Sequence, residues 1–150
     1  MILISHRGNL NGKNLNRENS PDYIDEAIAK GYDVEIDVWM VDGLLYLGHD
    51  EPSYRILKHW LDKRNDKLWI HCKNFEAIRW FTLVDGFNYF WHQEDDFTLT
   101  STGLIWTYTG KETTTKSIVV LPENSDKEIG ECFGICSDYI KKYRTLCFIR

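Results

Sequence analysis

The chain has 150 residues, of which 43% are hydrophobic and 27% charged, and this composition favours one globular domain spanning 1–150 over disorder or two separate cores. Its 23 acidic residues outnumber 18 basic ones, giving a net charge of −5, so we expect no nucleic-acid partner, which would require a basic face. Since no apolar run is long enough to span a bilayer and no signal peptide is evident, we expect a cytoplasmic protein without membrane insertion.

The first part of the chain alternates between strand and helix patterns. Ser20 and Pro21 are typical of a helix start, and Gly31 is typical of a helix end. Asp42 and Gly43 indicate a hairpin turn. With the apolar periodicity, these signals predict strands at 2–5, 33–39, 44–47, 68–70 and 87–91, and helices between Ser20 and Gly31, at 54–64 and at 75–83.

The second part of the chain has a different pattern. Strands are predicted at 104–108, 117–121 and 133–136, with 146–149 as a candidate last strand. The segments between them are short and polar, and they leave room for at most one short helix near Ser125. The alternation in the first part nevertheless predicts parallel βαβ units.

Polar side chains collect where the predicted strands end. Active groups gather at the carboxyl ends of parallel strands, so we expect these side chains to share one site. Those at the first three core strands are His6, Arg7, Glu35, Asp37, His71 and Lys73, and His92–Asp96 and Glu123 follow later strands.

Glu35 and Asp37 are two residues apart on one strand, so their carboxylates share a face. If that face is enclosed, their repulsion favours a divalent cation between them. If it is the outer face, both are simply solvated, and strand alternation alone does not separate these two interpretations.

Two histidines, His6 and His49, lie near strand ends on either side of this carboxylate pair in sequence. Each alone is more typical of a structural residue. Together they could serve as an acid and a base, as hydrolysis of a phosphoester or glycoside requires. Arg7 adds a guanidinium suited to binding phosphate.

Several of these residues form an ordered series of motifs. Ser5–Gly8, Glu18–Ser20, Glu26–Ile28 with Gly31, Glu35–Asp37, Gly43 and His49–Asp50 occur in the order and near the spacing of the glycerophosphodiester phosphodiesterase family, which the chain resembles. The resemblance is dense over the first third and thinner at 70–73 and at 134–138. It implies an α/β fold, a compact TIM-type (β/α) barrel with reduced or missing outer helices in the second half, similar to phospholipase C-like phosphodiesterases.

The resemblance also implies a role for each motif residue in a metal-dependent phosphodiester hydrolase of lipid metabolism. The substrate would be a small glycerophosphodiester-like molecule. His6 and His49 would be the acid–base pair, Arg7 and Lys73 would bind the phosphate, Glu35 and Asp37 would hold the metal, and Glu18 would support the site.

His71 stands where the family has a third carboxylate ligand. If His71 is a ligand, the imidazole shifts preference from calcium toward manganese, zinc or cobalt, so the ion is a divalent metal with Mg, Ca, Mn and Zn all open. Alternatively, His71 only hydrogen-bonds Glu35 or the substrate, and Glu94–Asp96 or Glu123 supplies the carboxylate. The neighbouring Cys72 is expected to point the other way, into packing.

The short chain leaves two further questions open. A shallow site with an exchanged ligand is also consistent with a catalytically idle module that only binds a phosphate ligand. Trp91, Trp106 and Tyr108 are either a wall for the alcohol group or core filler. The oligomeric state is not indicated by the sequence.

Four cysteines, Cys72, Cys132, Cys136 and Cys147, complete the candidate chemistry. In a cytoplasmic protein they are expected to be thiols. Cys132 and Cys136 have the spacing of half a zinc site, but no second pair follows at usable spacing.

Overall fold

The computed structural model describes residues 1–148, and a mixed sheet of ten strands forms its framework. The strands are β1 (Ile2–His6), β2 (Asp33–Val41), β3 (Leu44–Leu47), β4 (Tyr54–Ile56), β5 (Leu68–Cys72), β6 (Asn88–Phe90), β7 (Phe97–Leu99), β8 (Ile105–Tyr108), β9 (Ser117–Val120) and β10 (Gly134–Ser137). The helices are α1 (Pro21–Ala29), α2 (Lys58–Asp62) and α3 (Phe75–Phe81), with 3₁₀ helices at Pro122–Asn124 and Ile140–Phe148. Among the described residues, no helix is both long and apolar enough to cross a membrane.

Parallel pairing runs in the order β6–β5–β2–β1–β10–β9–β8. Three antiparallel strands are added to it: β3 pairs with the far end of β2, β4 with β3, and β7 with β8. In the described chain no ladder joins β6 to β8. The sheet therefore curls into a half-barrel with an open seam, which the rings of Phe90 and Trp106 span at a centroid distance of 4.5 Å.

The prediction of a compact TIM-type (β/α) barrel is therefore wrong. The sheet is mixed and open, and its helices are few and short. The reason lies in the connections, because segments of about a dozen residues are needed for a helical crossover between parallel strands. The link from β8 to β9 has only eight residues, and the link from β9 to β10, with 13 residues, runs as turns and one 3₁₀ helix at Pro122–Asn124.

Both faces of β2 are buried, which decides where its alternating side chains lie. Val34, Ile36 and Val38 pack in the outer core with residues of α1 and α3. Glu35 and Asp37 point the opposite way, into the concave side of the sheet. The inner core on that side contains Ile4, Trp69, Phe90, Trp106, Ile118, Val120 and Cys136.

Every predicted core strand is present, but two other expectations are corrected and one strand, β7, was not predicted. Residues 54–56 form β4 against β3, with Ile56 opposite Leu45, so the helix predicted over 54–64 is only α2. The sequence analysis missed β7, a three-residue strand. Residues 146–148 belong to a 3₁₀ helix rather than a strand, and Ile149 lies outside the described residues.

Candidate functional site

The polar residues singled out in the sequence meet at the carboxyl ends of the parallel strands. His6 ends β1 beside Glu35, and Asp37 on β2 pairs in register with His71 on β5. A cleft of about 480 Å³ opens above them. Its lining includes His6, Arg7, Lys13, Glu35, His49, His71, Lys73, Trp91, His92, Trp106, Tyr108 and Leu121.

Asp37 is the most highly connected carboxylate of the site and is fully buried. The Asn19 side chain donates to Asp37 Oδ2 at 2.8 Å and accepts from the Asp37 backbone N–H at 2.9 Å. Arg7 Nε lies 3.0 Å from Oδ2, an ion pair without hydrogen-bond geometry. Lys73 Nζ lies 3.5 Å from Oδ1. The charge of Asp37 is therefore balanced mainly by Arg7 and Lys73.

Two histidines also contact Asp37. His71 Nδ1 lies 3.0 Å from Oδ1, and His49 Nδ1 lies 3.3 Å from Oδ2. Burial alone would raise the pKa of Asp37, but the hydrogen bonds of His49 and His71 and the Arg7 charge hold that pKa well below its usual range. Asp37 is therefore ionised in the folded protein.

Glu35 has the opposite environment. Its Oε2 atom is buried and has no hydrogen-bond partner among the described residues. The nearest histidine nitrogens lie beyond hydrogen-bond reach, with His6 Nε2 3.8 Å from Oε2 and His71 Nδ1 3.9 Å from Oε1. Burial and the neighbouring Asp37 charge raise the pKa of Glu35 well above its usual value. An unpaired buried carboxylate oxygen is costly, and a cation beside it would remove that cost.

Glu35, Asp37 and His71 could hold a metal ion, because one ligand atom from each lies within 4.8 Å of the other two. The orientation of His71 fits this role. Its Nε2 atom lies 3.3 Å from the His92 carbonyl oxygen, which can only accept, so Nε2 carries a proton. A neutral His71 then presents the Nδ1 lone pair to two carboxylates, an arrangement that requires either a second proton or a metal ion.

The charge balance of the site supports the same fit. Four carboxylates are almost completely buried there, and three permanent cations reach them: Arg7 and Lys73, and Lys13, whose exposed ammonium lies 3.9 Å from Asp138. The carboxylates belong to Glu18, Glu35, Asp37 and Asp138. A divalent cation beside Glu35 would supply the positive charge that this carboxylate lacks, and the mixed carboxylate and imidazole donors suit manganese or zinc better than calcium.

His6 is held by Asp138, to which the sequence analysis assigned no role. His6 Nδ1 lies 2.7 Å from Asp138 Oδ1, so the other ring nitrogen, Nε2, faces Glu35. Burial would raise the pKa of Asp138, but the hydrogen bond and charge of His6 and the hydrogen bond of Asn9 lower it. The Asp138 backbone N–H donates to the Glu123 carboxylate, and this hydrogen bond helps to fix the position of Asp138. The only sequence signal for Asp138 was its place in the motif at 134–138.

Arg7 links the remaining predicted residues. It adopts a left-handed backbone conformation with φ of 55°. Its Nη1 atom donates to Glu18 Oε2 at 3.3 Å, and Nη2 lies 3.3 Å from His49 Nε2. Glu18 also accepts from the Asn9 side chain at 2.7 Å. Glu18 thus lies where it can orient Arg7, while His49, with a side chain 39% exposed, lies at the edge of the cleft.

Other candidates lie outside the centre of the site. Residues 94–96 are exposed, and Asp96 forms an ion pair with Lys111. Glu123 binds Ser137 and the backbone of Asp138 instead of facing the cleft. Cys72 packs in the outer core, which confirms the expected direction. In the described part of the chain, the metal-capable group of Glu35, Asp37 and His71 includes no cysteine.

The aromatic candidates divide into two kinds. Trp106 is buried and belongs to the inner core, as well as contributing to the cleft floor. Trp91 and Tyr108 are each 45% exposed and line the cleft. His92, which had no assigned role, stacks on His71 with ring centroids 4.4 Å apart. Burial and the neighbouring His71 lower the pKa of His92.

Comparison with known proteins gave no match to a family model, a curated protein or a solved structure.

Proposed function

We propose that the chain is a metal-dependent phosphodiester hydrolase that acts on a small glycerophosphodiester-like substrate, similar to the glycerophosphodiester phosphodiesterases. One observation carries the proposal. Two histidines, His6 and His49, lie beside a buried group of Glu35, Asp37 and His71 in which one Glu35 oxygen has no hydrogen-bond partner among the described residues.

Each residue has a role that its geometry supports. Glu35, Asp37 and His71 would hold the divalent ion, which would offset negative charge at the phosphoryl group. His6, oriented by Asp138, takes a proton at Nε2 from the water that attacks the phosphorus. His49, at the edge of the cleft, gives a proton to the departing alkoxide.

Arg7 and Lys73 stabilise the phosphoryl oxygens, since both cations reach the same carboxylate and line the cleft. The cleft volume of about 480 Å³ suits a small ligand. Trp91 and Tyr108 offer the alcohol portion an apolar wall. Buried thiols at Cys72 and Cys136 suit a reducing compartment, so we place the activity in the cytoplasm.

The test is hydrolysis of a small glycerophosphodiester by the purified chain with Mg, Ca, Mn or Zn in separate assays. We expect metal-dependent release of the alcohol, and a decrease of about 10²–10⁴-fold in kcat in His6→Ala and His49→Ala. His59→Ala is the matched control, because His59 is exposed and does not line the cleft. Absence of turnover with all four metals would refute the enzymatic proposal.

A second candidate is a catalytically idle module that binds a phosphate ligand. It is favoured by one observation: Arg7 and Lys73 are already held against Asp37, in contacts of 3.0 and 3.5 Å. Calorimetry with glycerol 3-phosphate, with and without manganese, separates the candidates. Tight binding without any diester turnover supports the module, whereas binding together with turnover supports the hydrolase.

A further inference from the structure

A second cavity, of about 620 Å³, lies beside α1 and the 3₁₀ helix that starts at Ile140. The loop of residues 10–14 forms one of its walls. Lys13 lines both this cavity and the cleft, so the loop separates the two spaces. This volume lies within the usual range of small-molecule sites.

Basic side chains dominate the cavity although the chain as a whole has a net charge of −5. Lys13, Lys30, Lys141 and Arg144 all line it. The acidic residue in the lining, Glu26, is neutralised locally, because its two carboxylate oxygens accept from Arg17 at 2.7 and 3.1 Å. The Lys13 ammonium lies 3.9 Å from Asp138, so three positive charges remain for this space, and they favour an anion with more than one negative charge.

Arg144 is fixed in place before any ligand binds. Its Nη2 atom donates to the Lys30 carbonyl oxygen at 2.7 Å, and its guanidinium lies 4.9 Å from the ring centroid of Tyr32. The Lys30 carbonyl belongs to the negative end of α1, which would otherwise repel an anion. Arg144 covers that end and still has other N–H donors for a phosphate.

Tyr32 provides an independent indication of a ligand. Its side chain is 2% exposed and lines the cavity. Its hydroxyl is buried without a hydrogen-bond partner among the described residues. A buried unpaired hydroxyl is unfavourable, and an anionic oxygen would accept its proton in a hydrogen bond. The ring of Tyr23 and the side chain of Leu10 supply apolar surface beside the charges.

We propose that this cavity is a binding site for a small organic phosphate, with the phosphate held by Lys30, Lys141, Arg144 and the Tyr32 hydroxyl, and an apolar body resting on Tyr23 and Leu10. The site is distinct from the cleft and does not depend on hydrolysis there. A dianionic phosphate matches the excess of positive charge better than a carboxylate does.

The experiment is a titration of the full chain, in metal-free buffer, with phenyl phosphate, inorganic phosphate and benzoate. Calorimetry gives affinity, and amide NMR shifts give the location. We expect saturable binding of phenyl phosphate with the largest shifts at Gly31 and Tyr32, and weaker binding of the other two probes. Shifts confined to His6, Glu35 and His71 would overturn the proposal, since they would place the anion in the cleft.

Variants separate a built site from general charge attraction. Lys30→Gln with Lys141→Gln is expected to weaken phenyl phosphate binding at least tenfold. The matched control is Lys63→Gln with Lys116→Gln, which changes the net charge equally but lies outside this cavity. Tyr32→Phe, which removes only the hydroxyl, is expected to weaken binding about threefold to tenfold. Equal affinities in the two double variants, or no saturable binding, would overturn the proposal.

Discussion

The first part of the sheet, β1 to β6, and the later part, β7 to β10, are built differently. In the first part, α1 and α3 cover the outer face of β2, where Val34 and Ile36 are completely buried. In the later part, turns and one 3₁₀ helix at Pro122–Asn124 connect the strands. The inner faces differ as well, since the later strands contribute mostly apolar side chains to the inner core.

This difference explains why the site is concentrated in the first part. Burying Glu35 and Asp37 side by side is unfavourable. The same strand buries Val34, Ile36 and Val38 on its other face, and this apolar packing offsets the unfavourable charges. The later strands have less covering structure and contribute one carboxylate to the cluster, Asp138. The helix-covered strand β2 thus holds two buried carboxylates, whereas the strands connected by turns contribute one.

The largest expected effect on stability comes from disrupting the charged interior. Asp37→Ala would leave Arg7 and Lys73 without their common partner, and we expect a loss of about 3–5 kcal/mol in the free energy of unfolding. The matched change in the later part is Thr107→Ala, which removes one buried hydroxyl bonded to Ile105, at a cost of about 1 kcal/mol. Urea titrations measure both. Similar losses would contradict the proposed difference between the parts.

Next in size is a comparison of the two outer faces with the same substitution. Val34→Ala removes two methyl groups from the core under the helices, and we expect a loss of about 2–3 kcal/mol. Val119→Ala is expected to cost about 1 kcal/mol, because a cavity of about 40 Å³ already adjoins Val119 on that side. Chemical unfolding of both variants at one pH gives the difference. An equal cost would show that the turns shield β9 from solvent as effectively as the helices shield β2.

A smaller effect tests how a helix is attached to the sheet. The Asn74 side chain caps α3 by accepting from the Ala77 N–H, and it also exchanges two hydrogen bonds with the Met40 backbone. Asn74→Ala should therefore lower the free energy of unfolding by about 2 kcal/mol. Ser125→Ala, which removes a single turn hydrogen bond to Lys127, should cost about 0.5 kcal/mol. Thermal unfolding of the two variants checks this ranking.

The smallest effect concerns local opening. Burial raises the pKa of Cys72 to about 12, and burial with nearby carboxylates raises the pKa of Cys136 well above its usual value. Both thiols are therefore neutral at pH 8, and thiol reagents react only when the surrounding structure opens. We expect Cys136 to be labelled about threefold to tenfold faster than Cys72, measured by peptide mapping. Faster labelling of Cys72 would show that the structure around β5 opens more readily than the structure around β10, contrary to this expectation.

The sequence predicted local structure and the participants in the site better than the overall fold. Strict alternation identified β2 and placed Glu35 and Asp37 on one face. The same alternation is compatible with a solvated face, so only the packing of the opposite face against helices shows that both carboxylates are buried. Whether a sheet closes depends on contacts far apart in sequence, such as the pairing of β1 with β10, which no local pattern contains.

Residues that act through distant partners were the hardest to predict. Asp138 lies 132 positions from His6, yet their side chains are 2.7 Å apart. Asn19 belongs to a motif that was recognised, but its two hydrogen bonds to Asp37 depend on a left-handed backbone conformation, with φ of 62°. The strand β4 was missed because Ile56 also fits the helical spacing of Leu57, Trp60 and Leu61, and β7 because its three residues directly follow the polar run at 92–96.

The open seam of the half-barrel also has an optical consequence. Trp69 on β5 and Trp106 on β8 lie on opposite sides of the seam, with ring centroids 6.0 Å apart and planes inclined by 31°. Two indoles held at a fixed tilt are expected to give a structured near-ultraviolet circular dichroism band. That band would report on the width of the seam, and because Trp106 also lines the cleft, a bound ligand would change it.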